Sequence, residues 1–275
     1  MTKIDGETQV VAILGDPIAQ AKSPELFNAL FARHDINAVL VPFHVTSALL
    51  GSVLDGISGI RNLAGVVVTV PHKIAAAAFA RNLSGPALQT GAVNCLRREA
   101  SGEWTGAMFD GTGFVRGLRS QGHDMRGKRV FLAGAGGAGA AVAHALLDAG
   151  IASLDIFDVN TASVARLGDA LRRRETSAVI REGSACARST HDLIINATPC
   201  GMRIDDPIPI DLNAANAHVV VADLIMKPAE TGLLTEAKGR GLVTHPGRHL
   251  LEHSIEAIAG FLNLSPTPKV RENPL

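Results

Sequence analysis

Gly134-Ala135-Gly136-Gly137-Ala138-Gly139 lies between an apolar run at residues 130–133 and an alanine-rich stretch at residues 140–149. The apolar run predicts a buried strand, and the stretch after the glycines predicts a helix. Glycines at such a turn allow a tight reversal of the chain and close approach of its backbone to a pyrophosphate, whose charge then lies on free N–H groups at the helix N-terminus. The hexapeptide therefore predicts a dinucleotide-binding fold, with Gly134, Gly136, Gly137, Ala138 and Gly139 as cofactor-binding residues.

Asp158 ends the next apolar run, residues 154–157, roughly 20 residues beyond the glycines. An acid at this position can hydrogen-bond the two ribose hydroxyls of NAD. Asp is also a common helix cap, and a helix is predicted to begin near Asn160 and Thr161. The sequence leaves both roles open for Asp158.

The composition is that of a folded chain with no strong electrostatic preference. Its 275 residues are enough for two ordinary domains, and 47% of them are hydrophobic. The 26 basic and 26 acidic residues cancel, so no overall field attracts nucleic acid. We expect a small-molecule substrate and no nucleic-acid partner.

Cysteine usage and the apolar segments bear on the compartment. Cys95, Cys186 and Cys200 are widely spaced with no C-x-x-C pair, which fits reduced thiols and gives no metal site. Residues 1–8 lack the apolar core of a secretory signal, and polar side chains interrupt the apolar segment 130–151. We therefore expect a cytoplasmic protein without a membrane partner, as a monomer or homodimer.

The first third of the chain alternates β-branched runs with helix-like stretches. Strands are predicted at residues 10–14, 38–44 and 65–70, and helices after Ser23-Pro24 and over residues 75–80. Ser23 before Pro24 is typical of an N-cap followed by proline in the first helical turn. The alternation predicts βαβ units and a mostly parallel sheet.

A second series of strands and helices begins at Lys128, after a linking helix and loop. Its strands are predicted at residues 129–133, 153–157, 192–196, 218–223 and 241–244. A final helix over residues 250–262 has the apolar spacing to pack one face on the first sheet.

The two series predict an α/β fold with two domains and an active-site cleft between them. The N-terminal substrate domain, with its mostly parallel sheet, would cover residues 1–110 and be completed by a C-terminal helix at 247–275. A Rossmann-type dinucleotide-binding domain would cover residues 111–246. In open α/β sheets, ligands bind at the carboxyl ends of the strands.

Polar segments fall at predicted strand ends or at the domain junction: residues 15–24, residues 69–73, and Asn94 with Asp110. A nicotinamide reaction moves a hydride, so an alcohol that is oxidised must also lose a proton to a nearby base. Lys73 beside Asp110 can take that proton and pass it on. A structural ion pair or two solvated charges is the alternative, because Lys and Asp are mostly surface residues.

The motifs run, in chain order, Gly15-Asp16-Pro17, Ser23-Pro24, Thr69-Val70-Pro71-His72-Lys73, Gly91-Ala92-Val93-Asn94, Asp110-Gly111, the glycine turn, Asn196-Ala197-Thr198-Pro199-Cys200-Gly201-Met202 and Asp223-Leu224-Ile225-Met226-Lys227-Pro228. In this order and spacing they resemble the shikimate dehydrogenase family over nearly the whole chain. The resemblance implies that Lys73 and Asp110 form a catalytic dyad.

The resemblance also implies ligand contacts. Asn94 and Thr69 would bind hydroxyls of a cyclic polyol, and Ser23 would hold its carboxylate. The loop Asn196-Ala197-Thr198 would lie beside the pyrophosphate and the nicotinamide ribose, with Met202 near the nicotinamide ring. For Thr69, Asn94 and Thr198, hydrogen bonding within a turn or at a strand end is the alternative.

One further substrate-binding residue is implied on the C-terminal helix, where the family has a Gln. That Gln corresponds to His253 when the comparison is anchored on Phe261, and to Ser254 when it is anchored on Gly247.

Several positions depart from the family pattern. Ala21 replaces a serine, Val67 an asparagine and Met226 a tyrosine, and Met108-Phe109 replaces Asn-Thr before Asp110. These changes remove hydroxyl and amide donors from the expected pocket. We expect shikimate itself to bind poorly and the substrate to be less hydroxylated or bulkier.

The cofactor turn also departs from the family. NADP-using members usually carry Asn-Arg-Thr after the second strand, whereas this chain has Asp158-Val159-Asn160. A 2′-phosphate would meet an acid and no cation there, so NAD is favoured over NADP. Arg166, farther along the helix, is the residue that could reverse this preference.

The expected activity is reversible NAD(P)-dependent hydride transfer between a ring alcohol, such as shikimate, quinate or a related cyclic carboxylate, and its ketone. Two alternatives remain open. The protein could act on a different, less hydroxylated substrate, or it could be a weakly catalytic protein that binds a metabolite and a nucleotide.

Overall fold

Two six-stranded sheets and the helices around them make up residues 4–264, the part of the chain described by the structure, a computed structural model. The strands of the first sheet are β1 (Gln9–Gly15), β2 (Ala38–His44), β3 (Leu63–Val68), β4 (Ala80–Leu83), β5 (Cys95–Arg98) and β6 (Trp104–Ala107). Their order is β2-β1-β3-β5-β6-β4. Only β5 runs antiparallel to its neighbours, so the sheet is mostly parallel, as predicted.

The helices of this half are α1 (Ser23–Arg33), α2 (Leu50–Ser58), α3 (Lys73–Ala77) and α4 (Gly85–Thr90). The predicted capping role of Ser23 is wrong: Lys22 is the N-cap residue, Ser23 is already helical, and Pro24 lies in the first turn. The helix predicted over residues 75–80 lies earlier in the chain than expected. It begins at Lys73, and Ala80 already belongs to β4.

The second sheet contains β7 (Arg129–Ala133), β8 (Ser153–Phe157), β9 (Val179–Glu182), β10 (Leu193–Asn196), β11 (Val220–Asp223) and β12 (Val243–His245). Its order is β12-β11-β10-β7-β8-β9, and every pair is parallel. The direction of strand succession reverses between β7 and β10, which opens a crevice at their carboxyl ends. The α/β fold with two parallel-rich sheets is therefore confirmed.

The remaining helices are α5 (Asp110–Ser120), α6 (Gly137–Asp148), α7 (Thr161–Arg172), α8 (Gly232–Gly239), α9 (Arg248–Glu252) and α10 (Ile255–Phe261). The predicted strands 129–133 and 153–157 match β7 and β8. Strand β9 has no predicted counterpart, because three of its four residues are exposed and give no apolar pattern.

The single helix predicted at 250–262 is divided into α9 and α10. Ser254 lies at the break, where its Oγ donates to the carbonyl oxygen of Leu250 at 2.8 Å. Helix α10 returns to the first sheet as expected, since Ile255 and Ile258 share a core with Phe27 of α1. The remainder of the C-terminal segment predicted at 247–275, residues 265–275, lies outside the described residues.

Helix α5 joins the two halves because its glycines permit very close packing. A Cβ at Gly111 would overlap the carbonyl oxygen of Ala141 on α6, and a Cβ at Gly113 would come within 2.5 Å of the Leu250 carbonyl oxygen on α9. This packing fixes the N-terminus of α5, and with it Asp110, against the second sheet's helices.

All three cysteine thiols are free: Cys95 is buried, Cys200 is partly buried and Cys186 is exposed. Among residues 4–264, no group of His, Cys, Asp and Glu side chains is arranged to hold a metal ion. No helix within that range is both long and apolar enough to cross a membrane.

We predict that Gly139→Ala destabilises the protein and that Gly136→Ala does not. A Cβ at Gly139 would overlap the carbonyl oxygen of Gly134, whereas a Cβ at Gly136 would meet nothing within 4 Å. Overpacking of this kind costs about 1–3 kcal/mol. Urea unfolding of both variants measures the difference, and equal midpoints would contradict the packing described for the turn.

We also predict that the contribution of His245 to the free energy of unfolding falls as the pH is lowered from about 6.5 towards 4. This side chain is 1% exposed and lies 4.8 Å, ring to ring, from His249. Burial foremost, and then the neighbouring histidines His249, His123 and His253, lower its pKa to about 4. The unfolded chain therefore takes up a proton in this pH window that the folded chain does not.

The measurement is the urea midpoint at about pH 7.5 and about pH 5. His245→Leu should raise the midpoint at about pH 5 relative to the midpoint at about pH 7.5, and His218→Leu, at an exposed position, should leave the difference between the two midpoints unchanged. An unaltered difference in the His245 variant would contradict the assignment.

Candidate active site

A pocket at the carboxyl ends of both sheets contains the predicted catalytic pair, Lys73 and Asp110. We call it the junction pocket. From the first half of the chain it is lined by Gln20, Ala21, Thr69, Val70, Lys73 and Asp110, and from the second half by Ala138, Ala197, Thr198, Pro199, Met202, Leu224, Ile225, Met226, Lys227 and Leu250.

Lys73 and Asp110 form an ion pair in this pocket. Lys73 is the first residue of α3, just after β3, and Asp110 is the first residue of α5, just after β6. Lys73 Nζ donates to Asp110 Oδ2 at 2.5 Å, and the two side chains are only 15% and 6% exposed. The alternative of two solvated charges is therefore wrong, and the pair has the geometry needed to exchange a proton.

Asn94 holds the other carboxylate oxygen. Its Nδ2 donates to Asp110 Oδ1 at 2.7 Å, and its Oδ1 accepts from the backbone N of Phe109 at 3.0 Å. Both ends of this amide thus bind within the protein, and the side chain is buried. The structure places Asn94 as a support for Asp110, next to the junction pocket.

Only one of the other predicted substrate-binding residues lines the junction pocket. Thr69 lines the junction pocket, whereas Ser23 is buried at the start of α1 outside that lining. His253, the C-cap residue of α9, is also outside the lining. The alternative, Ser254, uses its hydroxyl to bond the carbonyl oxygens of Leu250 and Leu251. The helix thus presents Leu250 to the pocket in place of the expected polar side chain.

The departures from the family pattern have different locations. Ala21 and Met226 line the junction pocket, and neither side chain offers a hydrogen-bond donor there. Val67 and Met108 are buried in the hydrophobic core, and Phe109 packs edge-to-face on Phe261 at 5.7 Å between ring centroids. Three of the five positions thus lie outside the lining of the junction pocket.

The glycine turn forms one wall of a groove that continues from the junction pocket. Gly134 has a φ of +103° and lies against the backbone of Ala197, which brings the loops after β7 and β10 together. Gly136 is the N-cap residue of α6. The groove is lined by Gly134, Gly136, Gly137, Ala138, Phe157, Asp158, Val159, Ala197, Thr198, Pro199 and Cys200, among others, and shares Lys73 with the junction pocket.

Asp158 closes the far end of this groove. Its Oδ2 accepts from the backbone N of Ala135 at 2.7 Å, and its Oδ1 accepts from the backbone N of Asn160 at 2.9 Å. The cap of α7 is Asn160, whose side chain accepts from the backbone N of Ser163 at 3.2 Å. The capping alternative for Asp158 is therefore wrong.

Asp223 has a place in the site that the sequence motif alone did not reveal. It ends β11, is 0% exposed, and accepts hydrogen bonds from Asn196, Ile225 and Thr231. Burial raises the pKa of its carboxyl to about 6, against the opposing effect of those three donors. The sequence signals were an acid at the end of an apolar strand and its place at the start of the motif at residues 223–228, neither of which gives it a role.

Comparison with known proteins identifies one family, both for the N-terminal part of the chain and for nearly its full length. Residues 13–96 match the family model described as the shikimate dehydrogenase substrate binding domain. The shikimate dehydrogenase (NADP(+)) of Rubrobacter xylanophilus is 36% identical over 272 residues, which cover 96% of this chain and 94% of that protein.

Two solved structures are similar over almost their full lengths. Quinate dehydrogenase from Corynebacterium glutamicum, in complex with NAD, has a TM-score of 0.80 and 27% identity, and the match covers 94% of this chain and 95% of that one. The ligand-free 5-ketofructose reductase of a Gluconobacter strain has a TM-score of 0.79 and 25% identity, with 94% of each chain covered. The chain therefore belongs to the shikimate dehydrogenase family and is a nicotinamide-dependent oxidoreductase acting on CH–OH groups.

Proposed function

We propose that the chain catalyses the reversible oxidation of a ring alcohol to its ketone, with shikimate, quinate or a related cyclic carboxylate as substrate. The observation that carries this proposal is the pairing of Lys73 Nζ with Asp110 Oδ2 at 2.5 Å, in a pocket continuous with the groove beside the glycine turn. A proton-transfer group and a dinucleotide groove are the two elements that such a reaction requires.

The groove has the features that a dinucleotide needs. Space lies open above Gly136, where a Cβ would have no neighbour within 4 Å, so a pyrophosphate can approach the backbone. The N-terminus of α6, a helix of 12 residues, faces the same space and favours negative charge. When bound, the nicotinamide accepts or supplies the hydride.

Lys73 would handle the proton. In the oxidation direction Lys73 first loses a proton to solvent, and its neutral amine then takes the proton of the reacting hydroxyl. The Asp110 carboxylate stabilises the ammonium that this step forms again. In the reduction direction the ammonium donates to the carbonyl oxygen. Asn94 keeps Asp110 in place through its second oxygen. We assign Thr69, one of the polar residues that line the pocket, to a ring hydroxyl.

A second candidate substrate class is a ring or sugar ketone with no carboxylate. The observation that favours it is the pair Ala21 and Met226, which make the pocket wall apolar where the family has a serine and a tyrosine. A carboxylate lacking those donors would lose on the order of several kcal/mol, since each charged hydrogen bond contributes about 1.5–3 kcal/mol. The similar Gluconobacter protein is named for such a substrate.

We also propose the domain division given by the sequence. Residues 1–110 would form the substrate domain and 111–246 the dinucleotide domain, with the C-terminal segment returning to the first. The return of α10 to the core beside Phe27 supports this division, and so does the family match at residues 13–96.

For activity, we predict that Lys73→Met lowers kcat by roughly 10²- to 10⁴-fold, the contribution typical of a positioned acid–base group. The assay measures absorbance of the reduced nicotinamide with shikimate, quinate and 5-ketofructose as separate substrates. Lys22→Met is the matched control, because Lys22, the N-cap residue of α1, is about half exposed and, among residues 4–264, forms an ion pair with Glu25 alone. It should leave kcat within about twofold of the original value.

Unchanged turnover in the Lys73 variant would contradict the proposed dyad. Cofactor binding without turnover of any substrate in the original protein would instead support the weakly catalytic alternative. Turnover of 5-ketofructose alone would select the substrate class without a carboxylate.

For the cofactor, we propose a preference for NAD over NADP. A 2′-phosphate would lie near the Asp158 carboxylate, and Val159 beside it offers no charge. Arg166 lies farther along the chain, on α7, where its Nη2 donates to Ser163 Oγ at 2.8 Å. The names of the curated relatives specify NADP(+) and point the other way, so direct measurement decides.

We predict that kcat/KM is higher with NAD, and that Asp158→Asn combined with Val159→Arg shifts the ratio of kcat/KM values towards NADP by about 10²-fold. Removing the repelling acid and adding a phosphate ligand accounts for that change. Arg166→Met tests whether any activity with NADP depends on Arg166. A higher kcat/KM with NADP in the original protein would contradict the preference.

A further inference from the structure

Asp223 is a fully buried carboxylate that the proposed chemistry does not use. Its Oδ2 accepts from Asn196 Nδ2 at 3.1 Å and from Thr231 Oγ1 at 2.7 Å, and its Oδ1 accepts from the backbone N of Ile225 at 2.9 Å. The three donors belong to three segments: the end of β10, the loop after β11, and the N-cap of α8. One carboxylate thus joins three parts of the second sheet's edge.

The first of these segments is the loop at residues 196–202. Asn196 Oδ1 accepts from the backbone N of Thr198 at 3.0 Å and from its Oγ1 at 2.7 Å, while Asn196 Nδ2 also donates to the carbonyl oxygen of Cys200 at 3.0 Å. Asp223 therefore orients the amide that organises this loop. Thr198 and Met202 of the same loop line the junction pocket.

The second segment is the loop at residues 224–231. Asp223 bonds it near its start, at Ile225, and at its end, at Thr231. Between these points the loop supplies Met226 and Lys227 to the wall of the junction pocket. The second sheet's two pocket-forming loops therefore take their relative position from Asp223.

Asp223 is buried without a cationic partner in the part of the chain that the structure describes. Among residues 4–264, no Lys, Arg or His side chain forms an ion pair with it, so hydrogen bonds alone offset the loss of solvation. An apolar side chain of similar volume would avoid that loss. It would also leave Asn196 and Thr231 without a common acceptor.

We propose that Asp223 is a positioning residue, which sets the loops 196–202 and 224–231 against the nicotinamide half of the cofactor and the reacting ring. The inference rests on the proposed function, because it requires that this half of the cofactor lies in the junction pocket. Asp223 acts through its hydrogen bonds with Asn196, Ile225 and Thr231.

The test compares Asp223→Asn with Asp155→Asn. Asp155 is a matched control: it is also a buried carboxylate of the second sheet, but its partners are His191, Arg181 and Arg188, and it lines neither the junction pocket nor the cofactor groove. We would measure kcat at saturating cofactor and, by calorimetry, the affinities for NADH and for ADP-ribose, which lacks the nicotinamide.

Asp223→Asn should lower kcat by roughly ten- to a hundredfold, the effect of misplacing groups by about 1 Å. Its affinity for ADP-ribose should stay within about twofold, because the glycine turn and Asp158 hold that half without Asp223. Asp155→Asn should reduce thermal stability and leave kcat and both affinities unchanged. A second pair, Thr231→Val and Thr231→Ser, should lower kcat only in the valine variant, which lacks the hydroxyl.

Unchanged kcat in Asp223→Asn and Thr231→Val would overturn the inference. So would equal weakening of NADH and ADP-ribose binding, since that would indicate a general structural role. If Asp223→Asn fails to fold, the Thr231 pair decides. Failure of the proposed function is distinguishable, because the original protein would then lack turnover or bind no dinucleotide.

Discussion

The site depends on the burial of one carboxylate, Asp110. It is 4% exposed and needs a partner on each oxygen, because an unpaired charge in that environment is costly. Lys73 supplies one and Asn94 the other, from positions 37 and 16 residues away in the chain. Pairing both oxygens of Asp110 thus brings together the segments after β3, before β5 and after β6. It also fixes the start of α5, the helix that packs directly on α6.

This constraint places the reactive pair where the second sheet opens. Asp110 occupies the first turn of α5, where the helix dipole favours negative charge. The glycine turn at the head of α6 lies across the pocket and provides a second helix terminus suited to a pyrophosphate. Apolar side chains such as Met226 and Leu250 fill much of the remaining wall. Their low polarity strengthens the attraction between Lys73 and Asp110.

Local patterns in the sequence predicted much of this arrangement. The glycine turn identified the strand and helix on either side of it. Lys73 was predicted after a strand and Asp110 at the domain junction, and the family resemblance paired them. The pattern failed where tertiary contacts decide. Asn94 was predicted to bind a substrate hydroxyl, and no local pattern indicated that its amide also bonds Asp110 and the backbone N of Phe109. His253 could not be located because the terminal helix breaks beside it.

The network around Asp223 was hidden for the same reason, since its partners come from segments separated in the chain.

The central claim is that a ring alcohol reacts between Lys73 and a nicotinamide held along the glycine turn. A crystal structure with an oxidised nicotinamide cofactor and quinate tests it most directly. The account predicts the reacting hydroxyl within hydrogen-bond distance of Lys73 Nζ, with the nicotinamide ring beside Met202. A substrate ring bound away from Lys73, or a dinucleotide outside the groove that runs to Asp158, would contradict it.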